Sequence, residues 1–334
     1  MTHAPLDPEL AALCSNWSTE PWQRLTAMEA AATPRRPGRV ANPDAGPNPG
    51  AGPAFVVHRV AEMHLRGVAG PLRARVYWPA PATPGATAPA LLVFFHAGGF
   101  VPGSVRSADA LCRGLCARTG VVVLSASYRP TPGNPYPAAF HDAATAMEWA
   151  ADHAGELDAD PGRLLVAGEG AGGNLAAAVA LRARDHRWPA LTRQVLIYPN
   201  LDGRQDSPSY TEHAEAPTNS AARMRWYYEH HLPRGAAAED PYASPLRVPS
   251  VAGVAQATVV TVEYDPLRDD GRRYAARLRQ AGVEVEELRY HDLVHGTLAL
   301  LGRVRAAERM LTDLAHALHR LVNARSPPTA ADSS

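Results

Sequence analysis

Lysine is absent from this chain: among 334 residues, all 33 basic side chains are arginine. That excludes a Walker-type phosphate loop, a kinase catalytic lysine, and a lysine Schiff base for pyridoxal phosphate or an aldolase. There is no excess of either charge, since 33 acidic residues balance the arginines. Nucleic acid is therefore not expected as a partner, because its binders present a basic face to phosphates. Cysteine is scarce and odd in number, with Cys14, Cys112 and Cys116 only, so a disulfide framework is not expected. Cys112 and Cys116 lie one helical turn apart and read as buried packing rather than as a metal or redox pair. No window approaches about 18 uninterrupted apolar residues, and Met1–Asp7 has neither a basic start nor an apolar run. We expect a soluble, cytoplasmic protein without a membrane span. Neither a metal nor another cofactor is expected; the expected partner is a small-molecule substrate. The composition is compatible with a homodimer but fixes no oligomeric state.

Apolar residues are plentiful, at 46%, enough for a substantial core. Ten of the twenty positions 34–53 are Pro or Gly, which can neither propagate a helix nor pair into a sheet. Residues 1–53 thus read as one or two short helices, anchored by Trp17, Trp22 and Leu25, and a linker. Alternating stretches Phe55–Leu65 and Leu72–Trp78 suit antiparallel edge strands. From residue 90 onward short continuous apolar runs appear at Leu91–Phe95, Val121–Ser125, Leu164–Ala167, Gln194–Tyr198, Val259–Glu263 and Val283–Arg289. Helical periods alternate with them at Ala108–Arg118, Ala138–His153, Gly172–Asp185, Gly271–Ala281 and Arg303–Val322. Strands buried on both faces and alternating with helices mean a mostly parallel sheet of about eight strands, covered on both sides. The expected fold class is α/β, with core segments 54–200 and 252–325, a Pro-rich insertion 201–251 acting as a lid through Ser220–Leu232, and a disordered tail 326–334.

Gly168-Glu169-Gly170-Ala171-Gly172-Gly173-Asn174 is a strand-to-helix turn. It fits the dinucleotide pattern G-x-G-x-x-G, but no acidic residue follows at the end of the next strand, as that motif requires. The other reading is a nucleophile elbow, G-x-S-x-G, in which Gly170 stands where the serine would be. Three further segments support it. His96-Ala97-Gly98-Gly99-Phe100 follows a strand, as an oxyanion loop does. Asp265-Pro266 and His295-Gly296 follow later strands, in the order nucleophile, acid, histidine.

With these four segments in register, the chain resembles the hormone-sensitive-lipase family of α/β-hydrolases, bacterial esterases with a GDSAGGN elbow and an HGGG loop. The resemblance spans roughly residues 54–323 and includes Tyr128-Arg129, Pro132 and Pro135-Tyr136-Pro137-Ala138-Ala139. It implies an α/β-hydrolase fold with a helical cap, Asp265 and His295 as acid and base, and an oxyanion hole from the N–H groups of Gly98, Gly99 and Ala171. It places His96, Phe100, Tyr128, Glu169 and Thr297 around the pocket. The chain departs from the family at Ala97, Glu169, Thr297 and above all Gly170, where no hydroxyl is available to form an acyl-enzyme; in a serine hydrolase, losing the nucleophile costs on the order of a million-fold in turnover.

An oriented imidazole and an oxyanion hole without a nucleophile suit proton abstraction beside a carbonyl, or attack by water or by a substrate hydroxyl. The resemblance implies precedents of both kinds, since plant relatives include a dehydratase, alkaloid cyclases and a gibberellin receptor that only binds. The expected function is noncovalent chemistry on an ester, lactone or β-substituted carbonyl compound, in elimination, cyclisation or water-mediated hydrolysis in secondary metabolism. A ligand-binding pseudo-hydrolase and a carboxylesterase inactivated by a serine-to-glycine change are the alternatives. Several of these residues also have structural readings. His96 would hold its turn, Asp265 would form one, Asp269 and Asp270 would cap a helix, and Glu169 would pack or pair. Trp226-Tyr227-Tyr228 suits a cap core as well as a ligand contact, and Ser104 has no base specified for it.

Overall fold

The computed structural model describes residues 4–15, 55–81, 86–232 and 236–323. Its strands are β1 (Arg59–Gly67), β2 (Gly70–Trp78), β3 (Leu91–Phe95), β4 (Val122–Ala126), β5 (Leu164–Glu169), β6 (Leu191–Ile197), β7 (Gln256–Tyr264) and β8 (Val285–Val294). They form one eight-stranded sheet in the order β1-β2-β4-β3-β5-β6-β7-β8. β1 pairs antiparallel with β2 and β2 with β4; the remaining pairs are parallel. The helices are α1 (Pro8–Cys14), α2 (Asp109–Thr119), α3 (Ala138–Asp152), α4 (Ala171–His186), α5 (Ser209–Glu212), α6 (Ala221–His231), α7 (Arg268–Gln280) and α8 (Arg305–Asn323).

The unbroken apolar runs are explained by burial on both faces. Leu91, Val93 and Phe95 of β3 join one apolar layer with residues of α3, α4 and α7, while Leu92 and Phe94 join the opposite layer with α2 and α8. A strand in such a position needs no polar side chains, so alternation disappears from its sequence although it persists in space. The mostly parallel α/β sheet expected from the sequence is thus the sheet observed.

Boundaries differ where a strand leaves the interior. β8 runs to Val294 rather than ending at Arg289, because it lies at the sheet edge and carries Glu286, Glu287 and Asp292 among its apolar residues. α7 starts at Arg268, before the expected Gly271, and the Asp265 carboxylate accepts the Leu267 N–H at 3.0 Å just ahead of it. β1 starts at Arg59 rather than at Phe55. In α1, Asp7 caps the helix by accepting from the N–H groups of Glu9 and Leu10, and Leu10 is fully buried in the layer formed with α8. Trp17, Trp22 and Leu25, the stretch 34–53 and the tail 326–334 lie outside the described residues.

Among its described residues, segment 201–251 contributes no strand. Its α6 packs Ala221, Met224 and Tyr228 with Tyr210 and with Leu267 of the loop after β7, in a third, small apolar cluster. No helix among the described residues is long and apolar enough to cross a membrane.

Candidate active site

Register brings the sequence-predicted segments together at one end of the sheet. Tyr264 of β7 is paired with Val294 of β8, so the next residues, Asp265 and His295, leave neighbouring strands side by side. Phe95 of β3 is paired with Gly168 of β5, and Glu169 with Ile197 of β6. The loop from His96, the turn at Gly170 and the segment Tyr198-Pro199-Asn200 therefore meet above the carboxyl ends of the strands, where open α/β sheets place their ligand sites.

The His295–Asp265 pair is direct. His295 Nδ1 lies 2.8 Å from Asp265 Oδ2, and the carboxylate is fully buried while the imidazole is 17% exposed. Asp265 also accepts the Leu267 N–H, so it is a turn former and the imidazole's partner at once. Thr218 Oγ1 donates to the His295 carbonyl at 2.8 Å and holds the loop from the other side.

Gly170 has φ 57° and ψ −113° at the start of α4. This strained turn projects residue 170 above the sheet, as a nucleophile elbow does. A Cβ built there would lie 3.4 Å from His295 Nε2. The free imidazole nitrogen thus points at position 170. The surrounding glycines have a steric cause: a Cβ on Gly172 would sit 2.0 Å from the Phe95 carbonyl oxygen, so only glycine lets α4 start this close to β3.

The loop after β3 is equally constrained. Gly98 has φ 134°, and a Cβ there would lie 1.6 Å from the Pro102 carbonyl oxygen. A Cβ on Gly99 would meet the Tyr227 ring of α6 at 2.4 Å. Gly98, Gly99, Gly170, Ala171 and His295 line one small cleft, open to solvent, together with Asn200, Thr218, Asn219, Met224, Tyr227 and Leu267.

The five residues expected around the pocket are divided. His96 and Glu169 line a second small cleft with Ala97, Ser107 and Leu298. His96 also stacks on Tyr128 with ring centres 4.3 Å apart. Phe100, Tyr128 and Thr297 line neither cleft, and each side chain is engaged elsewhere. Phe100, at φ 64°, turns its ring onto His231 of α6, 3.6 Å between centres. The Tyr128 hydroxyl donates to the His96 carbonyl at 2.9 Å, and Thr297 Oγ1 donates to the Val294 carbonyl at 2.7 Å. These contacts brace the two loops from behind. Glu169 accepts from the Tyr198 hydroxyl at 2.8 Å. Burial first, and then the adjacent Glu169 carboxylate, holds that phenol well above its ordinary pKa and keeps it a donor, and its ring lies 4.6 Å from that of His295.

One cluster has metal-ligand chemistry: Glu212, His213 and Glu263 offer atoms within 4.8 Å of one another. Arg268 already stands among them, bonded to Glu263, to Glu212 at 2.5 Å and to His213 Nε2 at 2.8 Å. A guanidinium supplies the positive charge there, and the arrangement does not fit a metal ion. Ser104 is paired with Ser107 rather than with a base. Sequence reasoning missed Asn200 and Asn219; the one signal for Asn200 was its place directly after an apolar strand run, and Asn219 had none.

A family model described as alpha/beta hydrolase fold matches residues 92–299. Esterase LipI of Mycobacterium tuberculosis is 41% identical over 256 residues, covering 75% of this chain and 78% of that protein. Ethyl acetate hydrolase of Pseudomonas putida is 34% identical over 250 residues, with 75% and 78% covered. Among solved structures, an esterase of Pyrobaculum calidifontis superposes with a TM-score of 0.81 at 33% identity, over 95% of this chain and 99% of that one.

Proposed function

This chain belongs to the alpha/beta hydrolase fold family, and from that premise we propose that it transforms a small-molecule ester or lactone by general-base chemistry at His295, without a covalent enzyme intermediate. The observation that carries the proposal is the aim of His295 Nε2, which faces position 170 at 3.4 Å from where a Cβ would stand, in a chain whose residue 170 is glycine. The hydroxyl of a serine enzyme is replaced by room for a water molecule or a substrate hydroxyl.

In the hydrolytic form, water over Gly170 attacks the substrate carbonyl carbon as its proton passes to His295 Nε2. Asp265 holds the Nδ1–H and stabilises the imidazolium. Negative charge collects on the carbonyl oxygen, facing the N–H groups of Gly98, Gly99 and Ala171. Collapse expels the alkoxide, which takes the proton back from Nε2. The base contributes on the order of 10²–10⁴-fold, and removing one oxyanion donor from such a hole costs on the order of 10²–10³-fold. With a β-substituted carbonyl substrate the same groups would remove an α-proton and hold the enolate, giving elimination or cyclisation. The esterase names of the relatives favour hydrolysis.

The test is turnover of a panel of p-nitrophenyl esters and small lactones by the unaltered chain and by His295→Ala, with intact-protein mass spectra taken during turnover. Loss of at least about a hundred-fold in the variant, with no acyl adduct on the unaltered chain, is the expected result. Undiminished turnover in His295→Ala, or an adduct, would refute the proposal; binding without product would favour a ligand-binding role. The retained strained turn at Gly170 supports a second reading, a carboxylesterase stripped of its serine.

A further inference from the structure

Two buried asparagines line the cleft that holds Gly170 and His295, and amide atoms of both have no hydrogen-bond partner among the described residues. Asn200 is 1% exposed and Asn219 4%. Among the described residues, neither Nδ2 nor Oδ1 of Asn200, nor Nδ2 of Asn219, has a hydrogen-bond partner. Both line the cleft that contains Gly170, Ala171 and His295. Buried amides are nearly always paired, because an unpaired one loses its hydration and gains nothing. Asn200 is anchored through its backbone: its N–H donates to the Gly170 carbonyl at 3.3 Å, and its own carbonyl accepts from Asn174 Nδ2 at 2.8 Å. Those bonds would survive an apolar side chain at position 200, so the carboxamide is not there to hold the turn.

The chemistry of a matching group follows from the donors and acceptors offered. Asn200 presents one donor and one acceptor side by side, whichever way its oxygen and nitrogen are assigned. Asn219 adds a donor. Among the described residues no carboxylate and no arginine lines the cleft, so a neutral group is the better match to these two side chains. We propose that Asn200 and Asn219 form a recognition subsite for a neutral substrate group that carries an acceptor beside a donor, namely an amide or a hydroxyl adjacent to a carbonyl, held next to His295. The subsite rests on the reading of this cleft as the substrate site, but not on how the reaction there proceeds.

Three six-membered rings of similar size test it: δ-valerolactam, 2-hydroxycyclohexanone and cyclohexanone, titrated into the full chain with ligand-observed NMR. Cyclohexanone offers an acceptor only. The lactam or the hydroxyketone is expected to bind at least about tenfold more tightly, since a site built to hydrogen-bond a group rejects the analogue that lacks it. Whichever of the two leads identifies amide or hydroxyl as the group recognised. Asn200→Leu and Asn219→Leu, checked for folding by thermal melting, should abolish the preference of the leading probe over cyclohexanone. Asn200→Asp keeps the side-chain shape and should also remove the lactam preference, so it serves where the leucine variant does not fold. Equal binding of the three probes, no binding of any, or a preference that persists in the Asn200 variants overturns the proposal. His295→Ala separates this from the proposed chemistry: the preference should persist there, so its loss from the asparagine variants bears on the subsite and loss of turnover bears on the base.

Discussion

Replacing Gly170 with serine is the perturbation that asks most of the site. At φ 57° and ψ −113° an L-residue is strained by about 1–3 kcal/mol, and for a domain of this size each kcal/mol lowers Tm by roughly 2–4 °C. Gly170→Ser should therefore melt a few degrees lower than the unaltered chain. Yet the new Cβ would meet nothing closer than His295 Nε2 at 3.4 Å, an ordinary van der Waals contact. One rotamer brings Oγ within reach of Nε2, with Asp265 already 2.8 Å behind Nδ1. Since loss of the nucleophile costs on the order of 10⁶-fold in a serine hydrolase, its return should raise p-nitrophenyl acetate turnover by several orders of magnitude. It should also give a burst equal to the protein concentration and a single fluorophosphonate adduct at position 170. A folded variant, shown by a melt only a few degrees lower, that neither bursts nor labels would refute the claim that His295 and the oxyanion loop are poised for carbonyl chemistry.

The other perturbations concern the support of the site. Asp265→Asn leaves His295 without its anionic partner, and turnover by the unaltered chain's route should fall by on the order of 10³–10⁴-fold with little change in KM. Asp270 is fully buried, and that burial pushes its carboxyl from 3.8 up to about 8, although Ser207 Oγ donates to it at 2.5 Å. Its folded pKa is raised, so its contribution to stability is complete below pH 3.8 and is lost as pH rises to about 8, at about 1.4 kcal/mol per unit. Asp270→Asn should flatten that decline in a series of denaturant melts; an unchanged slope between pH 5 and 8 would count against it. His231 is held down to about 3 from 6.5 by burial, so here stability is lost as pH falls from 6.5 toward 3. His231→Phe, which keeps the stack on Phe100, should lessen acid unfolding in that window.

The strands were legible because burial on both faces writes itself into the sequence as an unbroken apolar run, and Leu91–Phe95 matches its observed strand end for end. The four segments of the site were legible for a related reason: each follows such a run, and at Gly98 and Gly172 close approach to other backbone also demands glycine. What the sequence could not convey is where side chains turn once the loops meet. Phe100, Tyr128 and Thr297 adjoin the right segments, but a positive φ at Phe100 and hydrogen bonds from the other two turn all three away from the cleft. Asn200 reaches it from the end of β6, as the strand register places it, and Tyr227 from α6 within the stretch read as a lid, whereas Asn219 lies in the part of segment 201–251 that has no period from which its path could be read.

The strained turn at residue 170 is weaker evidence for a lost serine than it first suggests, and the position of His295 is stronger. Glycine reaches φ 57° far more cheaply than a residue with a Cβ, and three backbone bonds hold the turn whatever the side chain: Gly170 N–H to the Ile197 carbonyl at 3.0 Å, and the N–H groups of Asn174 and Asn200 to the Gly170 carbonyl at 3.1 and 3.3 Å. The elbow would keep its shape even if no chemistry had ever taken place there. No such ladder accounts for the His295 side chain. Its Nδ1 is held by Asp265 and its ring lies 4.6 Å from that of Tyr198, which leaves Nε2 facing position 170. An imidazole so oriented, in a cleft lined also by Gly98, Gly99, Asn200 and Asn219, is the feature that supports the proposed base role.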